Sequence, residues 1–235
     1  MKKVIAFSLW GNNFRYLGGA LQNASLAKIF YPDWICRYYI GKSTMNVSGF
    51  INKIKKYDNV EIVEMPEEGN WTGMFWRFYA ASDPTVDVMI SRDADSRLGF
   101  REKAAVDQWL KSDKQFHIMR DHPNHGVPIL GGMWGVKGNL LSDIKEISTH
   151  YNPGDFWQTD QIFLKKLVYP KVKEVSIVHD EFFEKKNFPE ESRERNRNHF
   201  VGQAYDGDGF VLDVPEYGIQ SYQKYLIEQG IDWQG

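Results

Sequence analysis

At 235 residues the chain has material for one α/β domain with a sizeable core, and a second independent domain is not expected. Its formal net charge of −2 supplies no basic field for nucleic-acid backbones or anionic membranes, so neither is expected as a partner. The single cysteine, Cys36, excludes an intramolecular disulfide framework and a cysteine-based zinc site, and its apolar surroundings read as those of an inert strand thiol. No window approaches ~20 apolar residues, so no transmembrane span is expected. The apolar stretch behind Lys2 and Lys3 is too short for a secretory signal, which makes a cytoplasmic enzyme the default expectation. Aromatic residues are 15% of the chain, with eight Trp, and their faces serve either for stacking on sugar rings and nucleobases or as core.

In chain order, residues 4–9 read as a buried parallel strand leaving through a turn at Trp10-Gly-Asn-Asn13, and ligands of open α/β sheets collect at such strand ends. Residues 16–31 set Leu17, Leu21 and Ala24 on one face beside Ala20, Ala27 and Tyr31, a helical spacing that stops at Pro32. A strand over 34–40 completes a βαβ unit, and a helix over 47–56 followed by a strand over 60–65 gives a second. No G-x-G-x-x-G is present, so a dinucleotide-binding Rossmann enzyme fits poorly. After a loop at Gly69-Asn-Trp-Thr-Gly73, residues 74–81 read as a short helix with Met74, Phe75, Phe78 and Tyr79 inward and Arg77 between them.

Residues 86–90 have the length and β-branching of a buried strand, and two acids, Asp93 and Asp95, follow. On an extended backbone, acids at i and i+2 point the same way and can share a divalent cation. Their hard oxygens suit Mg²⁺ or Mn²⁺ better than zinc. Beyond them come a helix over 102–110, a strand over 116–119, and the polar stretch Arg120-Asp-His-Pro-Asn-His125, read as a turn in preference to a metal site. Residues 128–136 form an apolar segment interrupted by Gly131 and Gly132, as a strand tolerates where another group approaches its backbone. Residues 140–149 have helical spacing, and a further helix is expected with Thr159 as N-cap and Asp160 in its first turn. A strand over 172–178 ends at His179-Asp180. Then come a mixed-charge stretch over 184–199, a hairpin turning at Asp206-Gly-Asp-Gly209, and an amphipathic helix over 217–229.

Four motifs stand in a telling order: the strand ending in Asp93-x-Asp95, then Gly131-Gly132, Asp160-Gln161 and His199-Phe-Val-Gly202. This order resembles that of GT-A-fold glycosyltransferases, nearest to the retaining glycogenin-like and bacterial galactosyltransferase-like members, over roughly residues 3–203. The resemblance implies a Rossmann-like, mostly parallel sheet flanked by helices, with a small C-terminal hairpin and helix. It implies transfer of a sugar from a nucleoside diphosphate sugar, a UDP-sugar favoured, to a carbohydrate or glycan acceptor, with Mn²⁺ or Mg²⁺. By the same likeness Asp93, Asp95 and His199, or alternatively His179, would hold the metal, and Asp160 would sit on the reacting face of the sugar. Ser8, Trp10, Arg77, Asp93, Gly131, Gly132 and Gln161 would bind the donor, and Trp134 the acceptor.

Each residue also has a plain structural reading: Arg77 as a packing ion pair, Trp134 as core, Asp160 as a helix-terminus acid. Where the glycogenin-like pattern has a phosphate-binding lysine, Gln203-Ala-Tyr205 follows Gly202 here, so phosphate contacts must come from elsewhere and retention of configuration stays open. Two other readings compete. One is a haloacid-dehalogenase-type phosphatase, which also uses Asp-x-Asp with a hydroxyl residue at the place of Ser96; the other is a non-catalytic carbohydrate-binding module.

Overall fold

The apolar run from Val4 to Leu9 builds the middle of the molecule: β1 (Lys3–Leu9) is buried at every position after Lys3 and pairs along both edges. Its neighbours, β2 (Ile35–Ile40) and β4 (Val88–Ser91), run parallel to it. With β3 (Val60–Glu64), β5 (Phe116–Arg120), β6 (Trp134–Lys137) and β7 (Ser176–Asp180) they form a seven-stranded sheet in the order β3-β2-β1-β4-β6-β5-β7. Only β6 is antiparallel to its neighbours. The computed structural model describes residues 1–151, 154, 156–192 and 199–212.

Strand periodicity divides the core into two layers. Val4 and Ala6 face one, with Phe75, Phe78, Phe116, Trp134 and Phe163; Ile5, Phe7 and Leu9 face the other, with Leu17, Ala20, Tyr38 and Trp109. Arg37, buried inside β2, is compensated by Glu61 at 2.9 Å and Asp83 at 2.8 Å. Cys36 is buried beside it, and burial pushes its thiol up to about 12, consistent with an inert role.

Winding sets where a ligand can enter. The chain runs outward from β1 through β2 to β3 and then crosses back to β4, so its direction reverses between β1 and β4, and a crevice opens beyond their C-terminal ends. One wall of this crevice is α1 (Phe14–Phe30), whose N-cap Asn13 accepts a hydrogen bond from the backbone N–H of Arg15 at 3.0 Å. Small residues let α1 press close: a Cβ on Gly18 would lie 2.4 Å from the Gly207 carbonyl oxygen, and one on Gly19 2.0 Å from that of Ala94.

Several elements differ from their sequence-based expectation. The helix expected over 47–56 is shorter, α3 (Phe50–Ile54), entered through Gly49 at a φ of +75°, and a separate short helix, α2 (Lys42–Met45), lies before the expected range. Residues 74–81 belong to a 3-10 helix, Trp71–Ser82. Helices α4 (Phe100–Lys111) and α5 (Ile144–His150) form near their expected places. In α6 (Thr159–Phe163), Thr159 is the first helical residue, and the N-cap is Gln158, at a left-handed φ of 69°.

The strand expected over 172–178 begins only at Ser176, because helical turns continue through Val175. At the C-terminal hairpin Tyr205 bridges Val211, and the Asp206 carboxylate accepts from the N–H groups of Asp208 and Phe210 at 3.0 and 2.9 Å. It is a self-capped β-turn. The helix expected over 217–229 lies outside the described residues.

Candidate active site

A cavity of about 780 Å³ opens at the β1/β4 crossover, within the size range of small-molecule sites. Its lining gathers residues spread over the sequence: Ser8 and Trp10 from the end of β1, Arg77 from the 3-10 helix, Asp93 and Asp95 after β4, and Gly131, Asp160 and Gln161. All of these were singled out in the sequence.

The two acids reach the cavity by a route other than strand alternation. Strand β4 ends at Ser91, and the chain then turns, with the N–H of Ser96 donating to the carbonyl of Asp93 at 3.2 Å. The Ser96 hydroxyl donates to the same carbonyl at 2.9 Å, so the residue that a phosphatase would need for chemistry closes this turn. Asp93 and Asp95 thus project from a turn whose backbone is pinned from α1. Asn23, almost fully buried, donates to the Ser96 carbonyl at 2.8 Å and accepts from the Leu98 N–H at 3.0 Å.

Arg77 is the hub. Its backbone N–H donates to the Ser8 hydroxyl at 3.0 Å, its guanidinium contacts Asp93, and its Nη2 donates to Asp160 Oδ2 at 2.8 Å. Burial works against the charge on Arg77, but the two carboxylates outweigh it and raise its pKa. Gly131 and Gly132 make room for this triad. A Cβ on Gly131 would stand 2.1 Å from Asp160 Oδ2, and one on Gly132 2.2 Å from Asp93 Oδ2. That close approach accounts for glycine at both positions, which lie just before β6 and not within the longer strand expected.

Asp160 is 2% exposed, and its second oxygen accepts from the N–H of Gln161 at 2.8 Å. Burial raises its pKa against the pull of Arg77, with the charge of Asp93 adding to the rise. The Asp95 carboxyl is also raised, first by burial and then by Asp93, while Arg15, in direct contact with it, opposes. Three carboxylates face two guanidiniums, Arg15 and Arg77, so these charged groups leave the lining acidic on balance.

Other predicted residues fall elsewhere. Trp134 is fully buried between Phe78 and Phe116 and faces the core, so it offers no platform to a ligand in the cavity. Neither histidine joins the two acids. His199 is exposed beside Tyr205, its Nδ1 3.0 Å from the phenol oxygen, and His179 is buried under the sheet against His117 and Gln108. Among the described residues no group of three or more His, Cys, Asp and Glu gathers around a metal-sized point.

Asp93 and Asp95 nonetheless fit a hard divalent cation. Two mutually repelling carboxylates are a sufficient protein share for Mg²⁺ or Mn²⁺ when a diphosphate and water supply the remaining oxygens. In the loop after β5, the N–H groups of Asp121 and Asn124 donate to the rings of His125 and His122, at 3.0 and 3.1 Å, which fits a turn.

Sequence reasoning missed part of the lining. Arg15 and Tyr16 stand in the first turn of α1, His125 follows β5, and Trp71, Trp157 and Gln158 also line the cavity, with Trp157 65% exposed. For Arg15 a signal existed: it follows the first strand within a few residues, where α/β ligands collect.

No family model matches the chain, and no curated protein matches its sequence. Solved structures do match. A glycosyltransferase involved in the glycosylation of the major capsid of PBCV-1 is similar with a TM-score of 0.51 and 16% identity, over 77% of this chain and 82% of that one. A mannosyltransferase from Pyrobaculum calidifontis, in complex with GDP-Man and Mn²⁺, is similar with a TM-score of 0.50 and 15% identity, over 76% of this chain. The match spans 55% of that protein's length. At such identities the likeness is one of fold: a mostly parallel, Rossmann-like α/β sheet flanked by helices, of the GT-A type found in these glycosyltransferases.

Proposed function

We propose that this chain is a glycosyltransferase that uses a nucleoside diphosphate sugar and a divalent cation, and passes the sugar to a carbohydrate or glycan acceptor. The observation that carries this reading is the clustering of Asp93, Asp95, Asp160 and Arg77 in one cavity at the sheet's crossover, with Gly131 and Gly132 cleared for them. A diphosphate is itself anionic and would be repelled by an acidic lining; a cation on Asp93 and Asp95 removes that conflict. When bound, the cation supplies Lewis-acid neutralisation of the charge that builds on the leaving diphosphate.

The chain's own residues do the rest. Trp10 and Ser8 offer a face and a hydroxyl at the end of β1 for the nucleoside. Arg77 fixes Asp93 and Asp160 relative to one another, so the acid toward the cation and the acid toward the sugar keep one spacing. Asp160 presents a carboxylate, held by Arg77 and the Gln161 N–H, to the positive charge that grows on the sugar ring as its bond to the diphosphate breaks.

The test is titration of UDP and GDP into the protein with Mn²⁺ or with excess chelator, followed by an assay for hydrolysis of the corresponding nucleotide sugars. Binding and turnover are expected with the cation and are expected to vanish in chelator. Undiminished turnover in chelator would remove the cation from this reading.

A further inference from the structure

We infer that Arg15 is a diphosphate-binding residue of this cavity, exchanging its contact with Asp95 for the ligand's phosphate oxygens when a cation takes that carboxylate. This rests on the sugar-transfer reading above and specifies which side chain of this protein meets the anion.

Only two guanidiniums line the cavity among the described residues. Arg77 is committed: its side chain is 6% exposed, and its two terminal nitrogens are taken by Asp93 and Asp160. Arg15 differs in exposure and in the number of its partners. Its side chain is 35% exposed and it has one carboxylate partner, Asp95, whereas an enclosed Nε with no hydrogen-bond partner among the described residues is common to both arginines. A guanidinium carries five N–H donors in a planar fork that matches phosphate oxygens two at a time, so Arg15 keeps donors in reserve.

Its location adds to this. Arg15 sits in the first turn of a 17-residue helix whose N-terminal end forms one wall of the cavity through Asn12, Asn13 and Tyr16. That end of a helix carries partial positive charge, which favours an anion beside it. The helix is also held in register with the acids. Arg15, Gly19 and Asn23 recur every four residues on one face, where Gly19 abuts the Ala94 carbonyl and Asn23 bonds the backbone of the Asp93–Asp95 turn. A group bound at Asp95 is therefore within reach of Arg15 by side-chain rotation alone.

The charges account for the exchange. Without a cation, Arg15 offsets Asp95, whose carboxyl is crowded by Asp93. With both acids neutralised by a bound divalent ion, Arg15 would lose its electrostatic reason to stay, and an incoming diphosphate would become its anionic partner. A mere counter-ion for Asp95 would yield that carboxylate to the cation in the same way but gain nothing from the ligand.

Calorimetric titration separates these roles. UDP, GDP and their phosphate-free nucleosides are titrated in Mn²⁺ into wild type, Arg15→Ala and Arg15→Lys, and Mn²⁺ alone is titrated into each. Arg15→Ala is expected to weaken the better-bound diphosphate at least about tenfold, to leave the nucleoside unchanged, and to bind Mn²⁺ as tightly as wild type or more tightly. Arg15→Lys, which keeps the charge but not the fork, should fall between them. Diphosphate affinity undiminished in Arg15→Ala would overturn the inference while leaving sugar transfer standing. Failure of wild type to bind either diphosphate in Mn²⁺ would overturn both.

Discussion

At the scale of single residues the site is a problem in charge placement. Asp160 is nearly sealed from solvent, burial raises its pKa, and the pair it makes with Arg77 favours its charged form. Replacing it by Asn retains shape and the hydrogen bond from the Gln161 N–H but removes the charge that would oppose the developing cation on the sugar. We expect Asp160→Asn to lower turnover by about 10²–10³-fold while the Kd for the nucleoside diphosphate stays close to wild type. Equal losses in kcat and in donor affinity, measured by steady-state kinetics and calorimetry, would reassign Asp160 to donor positioning. Trp134 teaches the converse point. A tryptophan following two glycines reads equally well as platform or core in a sequence, and only the packing of Phe78 and Phe116 on its ring decides for core.

Among elements, the central contact is between α1 and the turn that follows β4. The stripe Arg15, Gly19 and Asn23 does three jobs at one interface: it pairs with Asp95, clears space for the Ala94 carbonyl, and satisfies the turn's backbone. A Cβ at position 19 would meet backbone, which cannot swing aside as a side chain can. Gly19→Ala is therefore expected to cost about 1–3 kcal/mol in urea unfolding and to displace both acids, weakening Mn²⁺-dependent diphosphate binding well beyond what the stability loss explains. Unchanged binding in a destabilised protein would show that the turn keeps its geometry without α1. This interface also marks how far the sequence could be read. The strands of the first βαβ unit and α1 were legible because local periodicity encodes them; the Asp93 and Asp95 pair and the Gly131-Gly132 segment stood out by spacing, but the acids project from a turn and the glycines precede β6, where extended strands were expected. Arg15 was not legible, because the helical spacing was read as starting at Tyr16, and what recruits Arg15 is an acid eighty residues further on. The same limit applies to His199: its motif is local, whereas its distance from the acids is set by how the chain returns after β7.

On the scale of the whole molecule, the sheet carries a second polar centre, outside the cavity lining, that ties stability to pH. His117 on β5 and His179 on β7 are buried side by side, with His117 Nε2 2.8 Å from His179 Nδ1 and His179 Nε2 2.6 Å from Gln108 Oε1. Gln108 Oε1 can only accept, so His179 Nε2 carries a proton, and in the neutral ring His179 Nδ1 accepts from His117 Nε2–H. Burial lowers the pKa of each, that of His179 to about 4, with Arg101 acting in the same direction on His179 and with His179, Arg92 and Lys137 doing so on His117. A folded-state pKa below the unfolded value of about 6.5 means that the unfolded chain takes up protons first. The stability that depends on the neutral pair is thus complete above about pH 6.5 and drains away as pH falls toward 4, by roughly 3 kcal/mol from His179 alone. Asp83, held down to about 2, loses its contribution only at lower pH, so the two windows separate. Urea unfolding at about pH 7 and about pH 4.5 should show this loss in wild type and a smaller one in His179→Gln, whose side chain cannot titrate. Parallel losses in the two proteins would place the acid sensitivity elsewhere in the sheet.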